Sequence, residues 1–306
     1  MRFRVKLQRI GVIGLTLSLV TACATSPKLA EEILVAETIS IQTTEIPTVN
    51  RVIALANGSA EIISALGLKK ILIGRDIAST DEDLKSVEIV TSGHQVVAEK
   101  ILALKPDLLL IDSSTGPASA LDLLAKSGVT IKLISQSWNL ADVDAKITQV
   151  ASAIGVSVSG AQLIQAMDQR VKSSVQLTNK PRIAFLYLRG GSAIYFIGGI
   201  GSGADALIES IGGVDVGAAT LKNPFNPLTA ESIIALQPDL LLVMSKGLAS
   251  VGGVEGLVAL PGIAQTPAGK NSAVVAVDDS LMLSFGPRTP DLISKLSLSI
   301  SKVLSR

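Results

Sequence analysis

The chain has 306 residues, of which 48% are hydrophobic and only 3% are aromatic. Its 27 Lys and Arg residues nearly balance 26 Asp and Glu residues, and the net charge of +1 gives no electrostatic reason to expect a nucleic acid partner. The single cysteine excludes an internal disulfide bond.

Residues 1–22 have the features of an export signal. Basic residues precede an apolar core at positions 10–20, which is too short to form a stable membrane span. Val20, Thr21 and Ala22 before Cys23 resemble the lipobox of bacterial lipoproteins. The resemblance implies that Cys23 is lipidated and anchors the exported protein to the outer face of the cytoplasmic membrane. The alternative is an incidental buried thiol beside an ordinary signal.

Residues 23–48 carry scattered charges with several Ser and Thr and show little periodicity, which predicts a flexible tether after the lipidated cysteine. Residues 49–140 form the predicted N-terminal lobe. Its predicted strands lie at 51–55, 71–74, 87–90 and 131–134, and its predicted helices at 59–67 and 118–126. Alternating strands and helices predict a mostly parallel sheet covered by helices, which is an α/β fold.

A helix-to-strand unit occurs twice in the chain. Residues 99–112 read EKILALKPDLLLID and residues 231–244 read ESIIALQPDLLLVM, with nine of the fourteen positions identical. In each copy a proline ends an amphipathic turn, and the unbroken apolar run after it is typical of a parallel strand buried on both faces. A repeat this far apart predicts two similar lobes with a cleft between them rather than a repeat array.

Residues 141–180 predict two helices broken near Gly155. The second is long enough to act as a rigid connector between the lobes, although an ordinary surface helix is the alternative. The C-terminal lobe, residues 181–306, begins with the strand RIAFLYLRGG. Because side chains alternate along a strand, Tyr187 and Arg189 share one face at its carboxyl end, where open parallel sheets bind ligands.

Several stretches of the C-terminal lobe carry a resemblance to a known family. They are ADALIESIGG, LTAESIIALQPDLLLVMSKG, GGVEGLVALPGIAQTPAGK and VVAVDDSLMLSFGPRTP. They resemble the haem-uptake substrate-binding proteins of bacterial ABC importers, and the resemblance extends from Arg51 to the C-terminus. It implies a class III fold, in which a long helix joins two α/β lobes, with haem edge-on in the cleft. It also implies a monomer without enzymatic activity whose partners are an ABC permease and its ATPase.

Haem iron accepts an axial His, Cys, Met or Tyr ligand, and His94 is the one histidine of the chain. A lone histidine in a loop is by default a solvated surface residue. The resemblance matches Gly93 and His94 to the loop that carries the axial Tyr or His ligand of the family. It therefore implies that His94 ligates the iron.

Tyr187 is the second candidate ligand. A phenolate is stabilised by a neighbouring cation, and Arg189 lies on the same strand face. The YLRG pattern resembles that of family members in which a Tyr of the second lobe faces a His of the first and an Arg supports the Tyr. Tyr195 is the alternative for this role. A structural role for Tyr187, with His94 as the single ligand, also stays open.

Burial of a porphyrin requires flat apolar contacts, and its propionates require cations or hydrogen-bond donors. The candidate pocket walls are Trp138, Phe225, Phe285 and Tyr195. The candidates for binding the propionates are Arg189, Arg288 and the Ser and Thr residues at 113–115. Arg288 could equally cap the C-terminal helix.

Related binding proteins present one surface carboxylate on each lobe to arginines of the permease. The resemblance assigns this docking role to Glu61 in the first lobe and to Asp205 or Glu209 in the second. An ordinary solvated carboxylate is the alternative for each of them.

Two other functions compete with haem delivery. A cobalamin-binding or ferric-siderophore-binding protein would have the same lobes and the same repeat. An exported α/β enzyme is the more distant alternative, because one histidine, no free thiol and no paired-carboxylate motif offer little for hydrolysis or redox chemistry. The sequence thus predicts an extracytoplasmic haem-binding lipoprotein that takes part in iron uptake.

Overall fold

The computed structural model describes residues 29–92 and 95–306. The predicted signal at 1–22, Cys23 and the predicted ligand His94 lie outside the described residues. The elements up to residue 133 are β1 (Glu31–Ile33), β2 (Val52–Ala54), α1 (Ser59–Ala65), β3 (Leu72–Arg75), β4 (Thr91–Ser92), β5 (Gln95–Val96), α2 (Ala98–Ala103), β6 (Leu108–Ile111), α3 (Ala118–Lys126) and β7 (Thr130–Leu133). The elements that follow are α4 (Leu140–Ile154), α5 (Ser157–Lys172), β8 (Arg182–Arg189), β9 (Ile194–Gly198), α6 (Ala204–Ser210), β10 (Val214–Asp215), β11 (Phe225–Pro227), α7 (Ala230–Leu236), β12 (Leu240–Met244), α8 (Ser245–Ser250), α9 (Gly253–Ala259), α10 (Pro267–Asn271), β13 (Val274–Val277), α11 (Asp279–Ser284) and α12 (Thr289–Leu304).

The first lobe is built on a parallel four-stranded sheet with the order β3-β2-β6-β7. Leu108 and Leu110 of β6 face the main hydrophobic core, whereas Leu109 faces a smaller core that α2 and α3 cover. Both faces of the sheet are therefore buried, which explains the unbroken apolar run of this strand. The strand predicted at 87–90 is wrong, because only Ile89 forms an isolated bridge, with Arg75.

The second lobe is built on a larger sheet with the order β1-β13-β12-β8-β9-β11, and β10 lies beside β8. Strands β1, β13, β12, β8 and β10 run parallel to one another, whereas β9 runs antiparallel to β8 and β11 antiparallel to β9. Strand β9 returns alongside the end of β8. The side chains of β9 therefore lie next to those of Tyr187 and Arg189. The two predicted lobes with mostly parallel sheets are thus confirmed.

The repeated unit folds into the same helix and strand in both copies. Helix α2 leads into β6, and α7 leads into β12. The residues between helix and proline, Lys105 and Gln237, both have left-handed backbones, with φ of 46° and 42°. Each proline then prevents the helix from continuing. The sequence repeat is therefore a repeat of backbone geometry as well.

An Asp and an Arg stabilise the turn between the helix and the strand of the repeat in each lobe. Asp107 accepts a hydrogen bond from the backbone N–H of Arg51 at 3.0 Å. Asp239 accepts the equivalent bond from Arg182 at 2.9 Å. Both Arg side chains donate to backbone carbonyls at the end of the preceding helix, which lack partners within the helix. The Pro-Asp pair of the repeat thus ties the end of α2 to the start of β2 and the end of α7 to the start of β8.

Two helices that pack against each other, α4 and α5, lie between the lobes in the sequence. Helix α4 ends at Gly155, whose φ of 83° is the left-handed helix end that the predicted break requires. Helix α4 packs against α1 of the first lobe, and α5 packs against the C-terminal helix α12 of the second. At Gly160 an added Cβ atom would lie 2.5 Å from that of Ala151, so the two helices approach closely.

The prediction that residues 23–48 form a flexible tether is wrong for the part of this segment that the structure describes. Strand β1 adds a parallel edge strand to the second sheet, beside β13. The chain then crosses to the first lobe, where the N–H of Ile41 donates to the carbonyl of Ala65 at 2.8 Å. Ile39 and Ile41 pack against the main core. This crossing gives the lobes a second covalent connection.

Candidate functional site

A cleft of about 760 Å³ lies between the two lobes. Its volume falls in the range of roughly 300–1,000 Å³ that small-molecule sites occupy. The lining residues at or just after the carboxyl ends of strands are Leu55, Asp76, Asp112, Arg189, Lys246 and Asp279. The carboxyl ends of both sheets therefore face the cleft, which is where open α/β sheets bind ligands.

Asp112 fixes the turn that forms one wall of the cleft in the first lobe. Its carboxylate accepts hydrogen bonds from the backbone N–H of Asn57 at 3.0 Å and from the Ser114 hydroxyl at 2.6 Å. It also accepts a bond from the Thr115 hydroxyl at 3.3 Å. Of the hydroxyls predicted at 113–115 to bind propionates, those of Ser114 and Thr115 line the cleft and that of Ser113 does not. The two that line it are, however, already engaged within their own turn.

Asp76 is a second carboxylate in the first-lobe wall. It accepts hydrogen bonds from the backbone N–H of Ala78 at 3.0 Å and from the Ser79 hydroxyl. Burial raises the pKa of this carboxyl group, and its hydrogen bonds offset part of that effect. The first lobe thus contributes hydrogen-bonded acidic side chains to the cleft.

Arg189 of the predicted Tyr and Arg pair lines the second-lobe wall, whereas Tyr187 beside it is not among the residues that line the cleft. The Arg189 guanidinium lies 4.6 Å from the centre of the Tyr187 ring, so the two side chains share a face as predicted. Arg189 also lies 3.5 Å from a carboxylate oxygen of Asp279. Asp279 was missed in the sequence, although it follows β13 at the sheet edge where the other site residues lie. Its negative charge holds the guanidinium at the edge of the cleft.

Aromatic side chains surround Tyr187. Its ring centre lies 5.5 Å from that of Phe225 and 6.4 Å from that of Phe196. Tyr195 is not part of this cluster, because it pairs with Leu188 and packs in the core on the opposite face of the sheet. The prediction of Tyr195 as a wall or ligand is therefore wrong, and Phe196, its neighbour with the opposite orientation, occupies that position.

Trp138 and Phe285 lie beside each other at Gly203, away from the cleft. An added Cβ atom at Gly203 would lie 3.0 Å from Phe285 and 3.4 Å from Trp138. Phe285 is only 1% exposed, so it is a core residue and its prediction as a pocket wall is wrong. Trp138 keeps 37% of its surface exposed but is not among the residues that line the cleft.

Arg288 is buried in an ion pair that joins the lobes. Its backbone N–H and its Nε donate to the two carboxylate oxygens of Glu61 at 2.8 and 3.0 Å. Its Nε also lies 3.3 Å from Asp81. Two predictions are therefore wrong. Glu61 is 3% exposed and cannot be a surface docking residue, and Arg288 is occupied and cannot serve propionates. Its side chain does not cap α12 either.

Lys146 makes a second polar link between the lobes. Its ammonium donates to the backbone carbonyls of Asn57 at 3.1 Å and Ser284 at 2.7 Å. Burial lowers the pKa of Lys146 to about 8, although nearby carboxylates oppose this shift. At Gly58 an added Cβ atom would lie 2.8 Å from the Ser284 carbonyl, so only glycine permits this approach. We call Glu61, Asp81, Lys146 and Arg288 the inter-lobe clasp.

The two carboxylates predicted for permease docking in the second lobe differ in environment. Asp205 accepts hydrogen bonds from the backbone N–H groups of Gly201 at 2.7 Å and Gly203 at 2.9 Å. It therefore orders the glycine-rich turn before α6. Glu209 is exposed. Docking by either residue stays a prediction.

Two further features bear on the kind of site. Within residues 29–92 and 95–306, no group of three or more His, Cys, Asp or Glu side chains could hold a metal ion. The same part of the chain contains no helix that combines the length and the apolar character of a membrane span.

Lys246, which follows the second repeat, lines the cleft and was also missed in the sequence. Its place directly after a repeated strand was the available signal.

Two α/β lobes with a ligand-sized cleft at their sheet edges define a substrate-binding protein. The family model described as "Periplasmic binding protein" matches residues 52–281, so the chain belongs to the periplasmic binding protein family. This family includes binding proteins for vitamin B12, siderophores and haem. The protein is thus an extracytoplasmic substrate-binding component of ABC import and not an enzyme, as the sequence predicts.

Individual relatives differ in the ligand that they bind. The haem-binding protein RhuT from Roseiflexus sp. RS-1 has a structure similar to this one, with a TM-score of 0.77 and 33% identity over 84% of this chain and 99% of that chain. YvrC of Bacillus subtilis, an uncharacterized ABC transporter substrate-binding lipoprotein, is 26% identical over 82% of this chain and 79% of its own length. The vitamin B12-binding protein of Vibrio vulnificus is 25% identical over 79% of this chain and 86% of its own length.

Proposed function

We propose that this protein binds haem in the inter-lobe cleft and delivers it to an ABC permease for iron uptake. The observation that carries the proposal is the Tyr187 and Arg189 pair at the carboxyl end of β8. Within the described residues, the Tyr187 hydroxyl has no hydrogen-bond partner, although its ring packs against Phe196 and Phe225. A half-buried phenol without a partner, next to a cation, suits a ferric iron ligand.

His94 is the proposed ligand from the first lobe. It lies outside the described residues, but Thr91 and Val96 on either side of it in the sequence both line the cleft. The haem iron would thus be ligated by a neutral nitrogen of His94 from one lobe and by the phenolate of Tyr187 from the other. The similarity to RhuT, which binds haem, supports this assignment.

Vitamin B12 is the second candidate ligand, because the relative from Vibrio vulnificus binds it. Cobalamin carries its own axial ligand to cobalt and bears amide side chains, so it needs neither a phenolate nor a cation at the cleft. The pairing of Tyr187 with Arg189 therefore favours haem over cobalamin.

Titration of the purified protein with hemin and, separately, with cyanocobalamin tests the proposal. We expect a saturable change in the Soret band with hemin, because iron gains protein ligands, and no change in the visible spectrum with cyanocobalamin. Equilibrium dialysis of each ligand gives its dissociation constant. Tight binding of cyanocobalamin together with weak, non-saturating uptake of hemin would overturn the assignment.

We further propose that lipidation of Cys23 holds the protein at the outer face of the cytoplasmic membrane. Support comes from the signal-like residues before it and from the lipoprotein name of the relative YvrC. Because β1 begins at Glu31, the proposed tether is limited to the few residues between Cys23 and the edge of the second sheet.

Replacing Cys23 with Ala is expected to move the protein from the membrane fraction to the soluble fraction, because the variant lacks the sulfur that would carry the lipid. Membrane fractionation followed by immunodetection measures this change. Ser26→Ala, a substitution three residues further on, serves as the control and should remain in the membrane fraction. Unchanged fractionation of Cys23→Ala would refute lipid anchoring through this residue.

A further inference from the structure

Among the residues that the structure describes, the cations lining the cleft are Arg189 and Lys246, and both belong to the second lobe. The first-lobe wall instead contributes the carboxylates of Asp76 and Asp112, whereas the second-lobe carboxylate of Asp279 lies 3.5 Å from Arg189 and offsets its charge. The charge of the cleft is therefore asymmetric. An anionic group on a bound ligand is repelled from the first-lobe wall and attracted toward the second.

Most of the other groups suited to an anion are already engaged. Arg288 is held by Glu61 in the inter-lobe clasp, and the hydroxyls of Ser114 and Thr115 donate to Asp112. The Arg189 guanidinium lies over the Tyr187 ring and near Asp279, so its charge is directed at the proposed iron ligand. Of the two described cations that line the cleft, Lys246 is therefore the one whose charged group no other side chain engages.

Lys246 is fixed at its backbone and free at its ammonium. Its N–H donates to Asp279 at 3.1 Å at the start of α8. At the next residue, Gly247, an added Cβ atom would lie 3.0 Å from the Leu188 carbonyl, so α8 begins in tight contact with β8. Within the described part of the chain, the Lys246 ammonium has no ion-pair or hydrogen-bond partner. A rigid backbone thus presents a mobile cation at the edge of the cleft.

Building on the proposed function, we propose that Lys246 binds a propionate carboxylate of haem and selects tetrapyrroles that carry carboxylate side chains. Tetrapyrroles whose carboxylates are replaced by amides, as in cobalamin, or by esters lack the negative charge that the ammonium pairs with. Lys246 thus determines which tetrapyrroles bind, and it is distinct from the proposed ligands of the iron.

The test compares two ligands that share the iron and the ring but differ in charge, hemin and hemin dimethyl ester. We expect the parent protein to bind the ester about tenfold more weakly than hemin, as one charge-assisted hydrogen bond contributes about that factor. Lys246→Gln should lose about tenfold in hemin affinity and nothing in ester affinity. Lys246→Arg should restore the preference for hemin, because it restores the cation.

Lys270→Gln is the matched control, since Lys270 is an exposed lysine of the same lobe that does not line the cleft. It should bind both ligands as the parent does. An equal loss for both ligands in Lys246→Gln, or no loss for either, would overturn the role of Lys246. Failure of the parent to bind hemin at all would instead overturn the proposed function and this inference with it.

Discussion

Replacing Arg288 with Met is expected to lower the free energy of unfolding by about 3–5 kcal/mol, the usual cost of breaking a buried ion pair by removing one partner. The Arg288 side chain occupies the interface between the lobes, where it contacts Glu61 at 3.0 Å and Asp81 at 3.3 Å. Without it, two carboxylates with little exposure to water lose the cation that contacts them. Urea denaturation measures the loss.

The pH dependence of this loss follows from the direction of the Glu61 shift. Burial raises the pKa of Glu61 above its ordinary value of 4.5 even with Arg288 present, and removing the cation raises it further. A raised pKa means that the folded state binds the proton more tightly than the unfolded state. The destabilisation is therefore complete above the folded-state pKa and diminishes as the pH falls toward 4.5.

An exposed ion pair provides the control. Lys85 and Glu82 lie 2.6 Å apart but are 65% and 82% exposed, so Lys85→Met should cost less than about 1 kcal/mol. The double variant Glu61→Gln with Arg288→Met should recover part of the loss, because it also removes one of the two unpaired charges. If Arg288→Met were no less stable than Lys85→Met, the clasp would not hold the lobes together.

Replacing His94 with Ala is expected to increase the dissociation constant for hemin by about a hundredfold, equivalent to roughly 2.8 kcal/mol. The variant loses the proposed nitrogen ligand, and it should lose hemin more readily than Tyr187→Phe. Transfer of hemin to apomyoglobin, followed by its absorption, measures retention.

The neighbouring residue supplies the control for this loop. Gln95 is exposed, and Gln95→Ala should retain hemin as the parent does. The urea midpoints of both variants should match the parent, which separates loss of a ligand from loss of the fold. Unchanged retention of hemin by His94→Ala would overturn the assignment of His94.

The local parts of the fold were predictable because their causes lie close together in the sequence. The repeat predicted both helix-to-strand corners, since a proline and an apolar run act within a few residues. Strand alternation likewise placed Tyr187 and Arg189 on one face. Strand alternation also puts Tyr195 and Phe196 on opposite faces, but it does not say which of them shares a face with Tyr187. That depends on the register between β8 and β9, which the sequence alone did not supply.

The parts that could not be predicted depend on contacts between distant residues. Glu61 and Arg288 are 227 residues apart, and their motifs, a first-lobe helix and GPRTP, each resembled surface features. Strand β1 likewise depends on pairing with β13 near the other end of the chain. Burial of a charge is visible only once both lobes are in place, so the sequence misassigned both partners.

The visible spectrum of the hemin-loaded protein tests most directly the proposal that ferric haem in the cleft is ligated by the phenolate of Tyr187. The chain has two tyrosines, and Tyr195 on the opposite face of the sheet gives the matched control. We expect a phenolate-to-iron charge-transfer band in the parent and in Tyr195→Phe, its loss in Tyr187→Phe, and a partial loss in Arg189→Ala. A spectrum of Tyr187→Phe identical to that of the parent would contradict it.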